Sequence, residues 1–565
     1  MVKRVIIASV LLAGGLFAEP MRTGGPLMAV DALGRALPAP GETGVPAPRA
    51  NRQVGIFYFL WCGEHGRSAP RDVSKILAAD PRAGYTPENP VWGPVGFYHH
   101  WGEPFYGYYY SDDEWVMRHH MKLLMQAGVD FLFFDTTNGP IYEKNAKQVM
   151  RILQEYFNAG WTIPRVMFYT HTHSGATVQR IYESVYKPGY CRDTWFTFEG
   201  KPLIIAVEKE CSEETKAFFT FRAAQWPNEP AKVDGWPWMD FTRPQRVFTN
   251  RRGEPEVINV SVAQHPQLRF GDSAMYGETG NCGRAFHNGA NDPAPDAWTR
   301  GYNFAEQFDH ALRSDPPVVL VTGWNEWIMG RWKGIPERPI MFVDCANTEY
   351  SRDIEMMRGG YFDNFFMQLV GYVRRYKGAA AHPVHTAGAG MAFYDHVADG
   401  DFPRHAPGYG QVYENRTQRH AIRRIGIRHD AVDLHFQIQT RKPIASADRT
   451  GTWLKLYLNP GGGPGYRFVL NNTPRADGTT TLARITTPGE TLVCTDIPDR
   501  PIPYTVDGDT ITFRVPRAAL GFTAPAFTLW FKAADSTAPI ATVADFYDHG
   551  DAAPLGRLNY VYRAE

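Results

Sequence analysis

Residues 318–327 read VVLVTGWNEW. Val318, Val319, Leu320 and Val321 form an unbroken apolar run with neither helical period nor alternation, the pattern of a strand buried on both faces of a parallel sheet. The run ends on Trp324, Asn325, Glu326 and Trp327. The same form, a short apolar run closed by polar groups, recurs as VGIFYFLW (54–61), VDFLFFDTT (129–137), RVMFYTH (165–171), PLIIAVE (202–208), a weaker WPWMDF (236–241), VINVSVAQ (257–264) and IMFVDC (340–345). Helical stripes fall between several of them: Val116, Met117, His120, Met121 and Leu124; Phe304, Phe308 and Leu312; Phe362, Phe366, Leu369, Val370 and Val373. Eight candidate strands with intervening helices predict an α/β fold, a (β/α)8 TIM barrel over residues 52–378. A doubly wound sheet competes, but no GxGxxG turn follows the first strand.

Outward from the barrel the pattern changes. Residues 379–410 are rich in Gly, Ala, Pro and His and read as a linker. Residues 411–565 carry alternating segments such as VDLHFQIQ (432–439) and TITFRV (510–515), with turn signals at Gly461–Gly463 and Asp507–Gly508, and predict a C-terminal β-sandwich. At the other end, Lys3 and Arg4 precede the apolar stretch VIIASVLLAGGLF (5–17), so residues 1–18 read as a signal peptide and the chain as secreted or periplasmic. That stretch is shorter than the about 20 residues of a membrane span, and no integral membrane span is expected. Residues 19–51, rich in Pro, Gly and Ala, read as a tether or strap.

Across 565 residues, 59 Lys and Arg balance 59 Asp and Glu, which argues against a nucleic-acid partner bound through bulk charge. The 34 Phe, 28 Tyr and 15 Trp suit both a deep core and flat surfaces for sugar rings. The six cysteines lack CxxC spacing; Cys191 and Cys211 are near enough in sequence to pair, without spacing that requires it. His99, His100, His171, His173 and His265 match no zinc motif, and no cofactor or catalytic metal is expected. Asp-rich turns leave a Ca²⁺ ion in the sandwich open, without EF-hand spacing.

Barrel chemistry sits at the C-terminal ends of the strands. Glu326, Asp135 and Glu208 end three of the runs and are the candidate catalytic carboxylates. Asp240 and Asp344 are weaker candidates. Paired carboxylates in an aromatic cleft suit glycosidic bond cleavage: one protonates the leaving oxygen while the other attacks or activates water. Trp61, His100, Trp101, Tyr108, Asn138, His171, His265, Trp324 and Asn325 are the candidate substrate contacts, several from the aromatic loop HHWGEPFYGYYYSDDEW (99–115).

FYFLW in the first strand, FDTTN (134–138), GWNEW (323–327) and EYSRDIE (349–355) together resemble secreted bacterial glycoside hydrolases of the family 71 and 99-like type. The resemblance implies a (β/α)8 barrel acting on α-glucans or α-mannosides with no metal in the chemistry. In family 99 the NEW segment carries one key glutamate with a second three residues on. Glu326 occupies the first of these positions and Met329 the second, so the partner must come from another strand, such as Asp135 or Glu208. HAIRRIGIRHDAVDLHFQIQT (420–440), FTLWFKAAD (527–535) and GDAAPLGRLNYVYR (550–563) are similar to family 9 carbohydrate-binding modules. The expectation is a secreted glycoside hydrolase acting on a poly- or oligosaccharide. A non-catalytic glycan-binding protein and a polysaccharide lyase are the alternatives.

Overall fold

A computed structural model describes residues 25–67, 69–264, 266, 275–276, 280–342, 345, 347–399, 421–444, 452–486 and 490–565. The expected signal peptide, His265 and Asp344 lie outside the described residues. Eight strands run parallel in chain order around one sheet: β1 (Gln53–Tyr58), β2 (Phe131–Thr136), β3 (Arg165–Thr170), β4 (Lys201–Ala206), β5 (Thr220–Gln225), β6 (Gly235–Pro237), β7 (Pro255–Ser261) and β8 (Val318–Thr322). β8 pairs with both β1 and β7, so the sheet curls almost into a ring. The gap between β6 and β7 is spanned by Val247–Thr249, antiparallel to β7. Across the same gap, Asn259 Nδ2 donates to the Trp238 carbonyl at 3.0 Å.

The helix layer is less regular than a full (β/α)8 repeat. α1 (Glu114–Ala127), α2 (Glu143–Asn158), α3 (Ser174–Ile181), α4 (Glu213–Phe218), α5 (Tyr302–Ser314) and α6 (Asn364–Lys377) are present, but among the described residues no helix joins β5 to β6 or β6 to β7. α1 shows why these segments are helical. The Asp113 side chain accepts from the Val116 N–H at its start, and Gly128, at φ 77°, ends it in the left-handed conformation.

Two strand expectations are corrected. The run 340–345 is not a barrel strand: Arg338–Phe342 pairs antiparallel with Ile328–Ile335, which pairs with Tyr98–His100 in a separate three-stranded sheet. The strand absent from the sequence reading is β5, TFRAAQ, whose apolar run is broken by Arg222. That arginine is buried and donates to both oxygens of Glu256 (2.7 and 2.8 Å), while Trp236 Nε1 donates to the same carboxylate at 2.7 Å. A charge that is fully paired inside the fold looks, in sequence, like an interruption.

Alternate strand residues fill the barrel. Phe57, Phe59, Phe131, Phe133, Met167, Tyr169, Leu203, Ile205, Ala224, Trp236, Trp238, Val257, Val318 and Leu320 form one cluster, set by the two-residue side-chain period. The C-terminal residues form an eight-stranded and a six-stranded sheet whose facing side chains include Leu456, Leu458, Leu529 and Phe531 against Ile425, Ile427, Phe436 and Phe513. Val384–His385 and Ala392–Asp395, within the stretch read as linker, already pair with these sheets. Met28 exchanges two backbone hydrogen bonds with Asn559 (2.9 and 2.8 Å), and Arg374 donates to the Leu27 and Pro38 carbonyls, so residues 25–51 strap α6 to a closing strand of the sandwich. All six cysteines are free, Cys191 and Cys211 included.

Candidate functional site

The inward rows of the barrel continue beyond the strands onto its C-terminal mouth. By the two-residue period, Trp61 extends the Phe57–Phe59 row, Asp135 the Phe131–Phe133 row, His171 the Met167–Tyr169 row and Trp226 the Ala224 row. Trp61 and Trp226 pack against the barrel cluster as half-buried rings, with Trp238 buried beside them. His171 stacks on Trp226 with centroids 4.3 Å apart and planes 27° from parallel, and Trp226 meets Trp238 at 5.4 Å. Burial lowers the His171 pKa below its ordinary value, so the ring is neutral at neutral pH and offers one donor and one acceptor.

On the opposite side, Trp61 joins His65, Tyr98 and Tyr142. His65 lies parallel to Tyr98 at 4.8 Å, and its Nε2 is 3.1 Å from the Tyr142 hydroxyl. Tyr142 adopts φ 44° at the start of α2, a costly conformation for a bulky residue. Desolvation and then the Asp135 charge raise the Tyr142 phenol well above its ordinary pKa, keeping it a proton carrier. The indole N–H groups of Trp61 and Trp238 have no hydrogen-bond partner among the described residues.

Two carboxylates border this aromatic surface. Asp135 is half-buried, and its Oδ1 accepts from the Thr137 N–H (3.0 Å) and hydroxyl (2.7 Å). Glu326 is 6% exposed and ion-paired to Arg352, whose guanidinium lies 5.0 Å over the Trp238 ring. Behind Glu326, Asp353 Oδ1 accepts its backbone N–H at 2.6 Å. Asp353 is fully buried, and that burial pushes its carboxyl up to about 6.

The remaining expected site residues fall elsewhere. Glu208 sits on a short 3-10 turn after β4, one residue out of the inward row, exposed and paired to Arg251 at 3.1 Å; it is not a member of the mouth. Trp101 is buried, stacked on Trp327 at 4.2 Å, and donates from Nε1 to the Glu326 carbonyl at 2.8 Å. His100 is buried on the strand Tyr98–His100, and Tyr108 donates to Asp72 Oδ2 at 2.8 Å. Trp324 lies between barrel and helices, 5.6 Å from His120 and 6.1 Å from Phe366. These four interior rings hold the rim together and do not form a substrate wall. Asn325 exchanges two hydrogen bonds with the Phe59 backbone (2.9 and 3.0 Å), locking the exit of β8 to that of β1. Asn138 is exposed beside Asp135. Asp240 is buried and held by Arg246 at 2.8 Å.

His65, Tyr98, Tyr142, Trp226, Trp238, Arg352 and Asp353 are the mouth residues the sequence reading did not select. Counting the two-residue period past each strand finds Trp226 and Trp238. The RDIE segment (352–355) holds Arg352 and Asp353, and Glu355 within it accepts from Tyr109, Trp327 and His120 in a closed buried network.

No protein-family model and no curated protein matches the chain. Among solved structures, the GH99 endo-alpha-mannosidase of Bacteroides thetaiotaomicron, free and in complex with BIS-TRIS-propane, aligns at 14% identity over 57% of this chain and 97% of its own, with a TM-score of 0.35. A glycoside hydrolase-like protein aligns at 12% identity over 62% of this chain and 98% of its own, with a TM-score of 0.26. Likeness at these scores carries no argument about activity, and the functional reading rests on the residues of the mouth.

Proposed function

We propose that the protein is a glycoside hydrolase that cleaves an O-glycosidic bond of a poly- or oligosaccharide at the C-terminal mouth of its barrel. What supports this reading is that Asp135 continues an inward row onto the barrel mouth, where Trp61, Trp226 and His171 lie, and that Glu326 follows β8 paired to Arg352, whose guanidinium lies over the Trp238 ring. Half-buried indole rings at the mouth, Trp61 and Trp226, suit a sugar's apolar face. Two carboxylates supply the acid and the base or nucleophile of glycoside hydrolysis. The Arg352 partner suits Glu326 as an anion, acting as nucleophile or base. Export fits the same reading, through the positive start and apolar run of residues 1–18.

The test is a polysaccharide panel scored for new reducing ends and for ultraviolet absorbance, with wild type beside Glu326→Gln and Asp135→Asn. Reducing ends without absorbance, falling by about 10²–10⁴-fold in either variant while glycan binding persists, support hydrolysis. Absorbing products indicate a lyase. One observation favours a second reading: Glu326 is nearly inaccessible in its ion pair with Arg352, as in a glycan-binding protein without turnover. Binding by all three proteins with no product from any of them establishes that alternative.

A further inference from the structure

The sandwich carries a side-chain cluster that glycan cleavage does not use. Asp545, Asp548 and His549 lie on and just after the 3-10 turn Val543–Tyr547, and one ligand-capable atom of each falls within 4.8 Å of the other two. His549 Nε2 is 3.7 Å from Asp545 Oδ1 and 3.7 Å from Asp548 Oδ1. Both separations are too long for hydrogen bonds. They approach the spacing of ligand atoms around a shared ion, since donors at about 2.1 Å from a tetrahedral centre stand about 3.4 Å apart.

The imidazole is oriented from behind. Its Nδ1 lies 3.3 Å from the Pro539 carbonyl, which only accepts, so Nδ1 carries a proton and Nε2 faces the two carboxylates. A backbone carbonyl behind one ring nitrogen is the usual support of a metal-bound histidine. Asp545 is likewise held: its Oδ2 accepts from the Ala541 and Thr542 N–H groups (2.8 and 2.7 Å), leaving Oδ1 toward the cluster. The three side chains are only 16%, 20% and 30% exposed, and among the described residues no Lys or Arg reaches ion-pair distance of either carboxylate. Arg358, whose charge acts on Asp548, is engaged by Glu103 and the Phe105 carbonyl.

We infer that Asp545 Oδ1, Asp548 Oδ1 and His549 Nε2 bind one divalent transition-metal ion. One imidazole and two carboxylates suit Zn²⁺ or Mn²⁺ better than the all-oxygen sites of Ca²⁺. Tyr547, on the same turn, packs on Phe105 and Phe362 (5.7 and 5.6 Å), so the ion braces the junction between sandwich and barrel.

The test uses the untagged full chain, stripped with EDTA and dialysed, titrated calorimetrically with Zn²⁺ and with Mn²⁺. One ion per chain and a raised melting temperature are expected, with affinity falling more than about tenfold in His549→Ala and in the isosteric Asp548→Asn. Mn²⁺ paramagnetic resonance on the wild type needs no variant to fold, and a broadened bound-ion signal is expected there. No saturable binding of either ion, equal binding in both variants, or a signal of free aqueous Mn²⁺ overturns the site.

Discussion

Glu326 and Asp353 show how neighbouring carboxyls acquire different tasks from their surroundings. Glu326 faces a permanent cation, Arg352, whereas Asp353 is fully buried and its carboxyl is pushed up to about 6. A buried carboxyl with a raised pKa holds its proton in the folded chain after the unfolded chain has released it. Its contribution to stability is therefore fully present below the ordinary value of 3.8 and is lost as pH rises through about 6. Denaturation midpoints measured between pH 4 and pH 7 should fall across that window in the wild type, and the slope should flatten in Asp353→Asn; an unchanged slope places the titration elsewhere. Trp226 is half-buried, stacked on His171 and packed against the barrel cluster, so Trp226→Ala should weaken glycan affinity by up to about tenfold and lower the melting temperature as well. Affinity electrophoresis in the polysaccharide that binds the wild type measures the first, and calorimetry the second.

The loops after β1 and β8 are joined by one side chain. Asn325 satisfies both the N–H and the C=O of Phe59, in a place where water does not reach. Asn325→Leu has similar volume and leaves both backbone groups unpaired, and should cost about 1–3 kcal/mol in urea denaturation. A loss well below that range shows that the two exits relax apart and find other partners. The aromatic loop before α1 belongs to the same level of organisation. Its rings divide into those that hold the rim, Trp101 and Tyr108, and one that reaches the mouth, Tyr98.

Barrel and sandwich are fastened by charge as well as by packing. Asp363, at the start of α6, accepts from the Tyr547 hydroxyl at 2.8 Å and from Arg557 Nε and Nη2 at 2.7 and 3.0 Å, all buried. Arg557 is also paired to Glu490 at 2.6 Å, so Asp363→Ala leaves the guanidinium one of its two carboxylates and should destabilise the whole chain by about 1–3 kcal/mol. If sandwich and barrel unfold as one unit, the transition stays single and shifts; if they are independent, it splits in two. Equilibrium unfolding followed by both fluorescence and far-ultraviolet circular dichroism distinguishes these outcomes.

Seven of the eight barrel strands lie in the apolar runs of the sequence, because a strand buried on both faces needs continuous apolar side chains; the run 340–345 shows that a strand of another sheet can carry the same pattern. The sandwich was legible for a related reason, in the strict alternation of segments such as 432–439. Charge balance, and a histidine spacing that matches no zinc motif, were likewise readable from residue order. Tertiary structure alone decided what order cannot encode. β5 hides behind Arg222, whose cost in a strand is removed only by Glu256, a residue 34 positions away that the fold brings beside it. The two-residue period decided that Glu208 faces solvent while Asp135 continues an inward row, and a shift of one residue reverses such an assignment. Whether a tryptophan is core or contact surface depends on what covers it. Trp101 and Trp324 are covered by the chain itself, whereas Trp61 and Trp226 are half-covered at the mouth, and hydrophobicity along the sequence is the same in both cases.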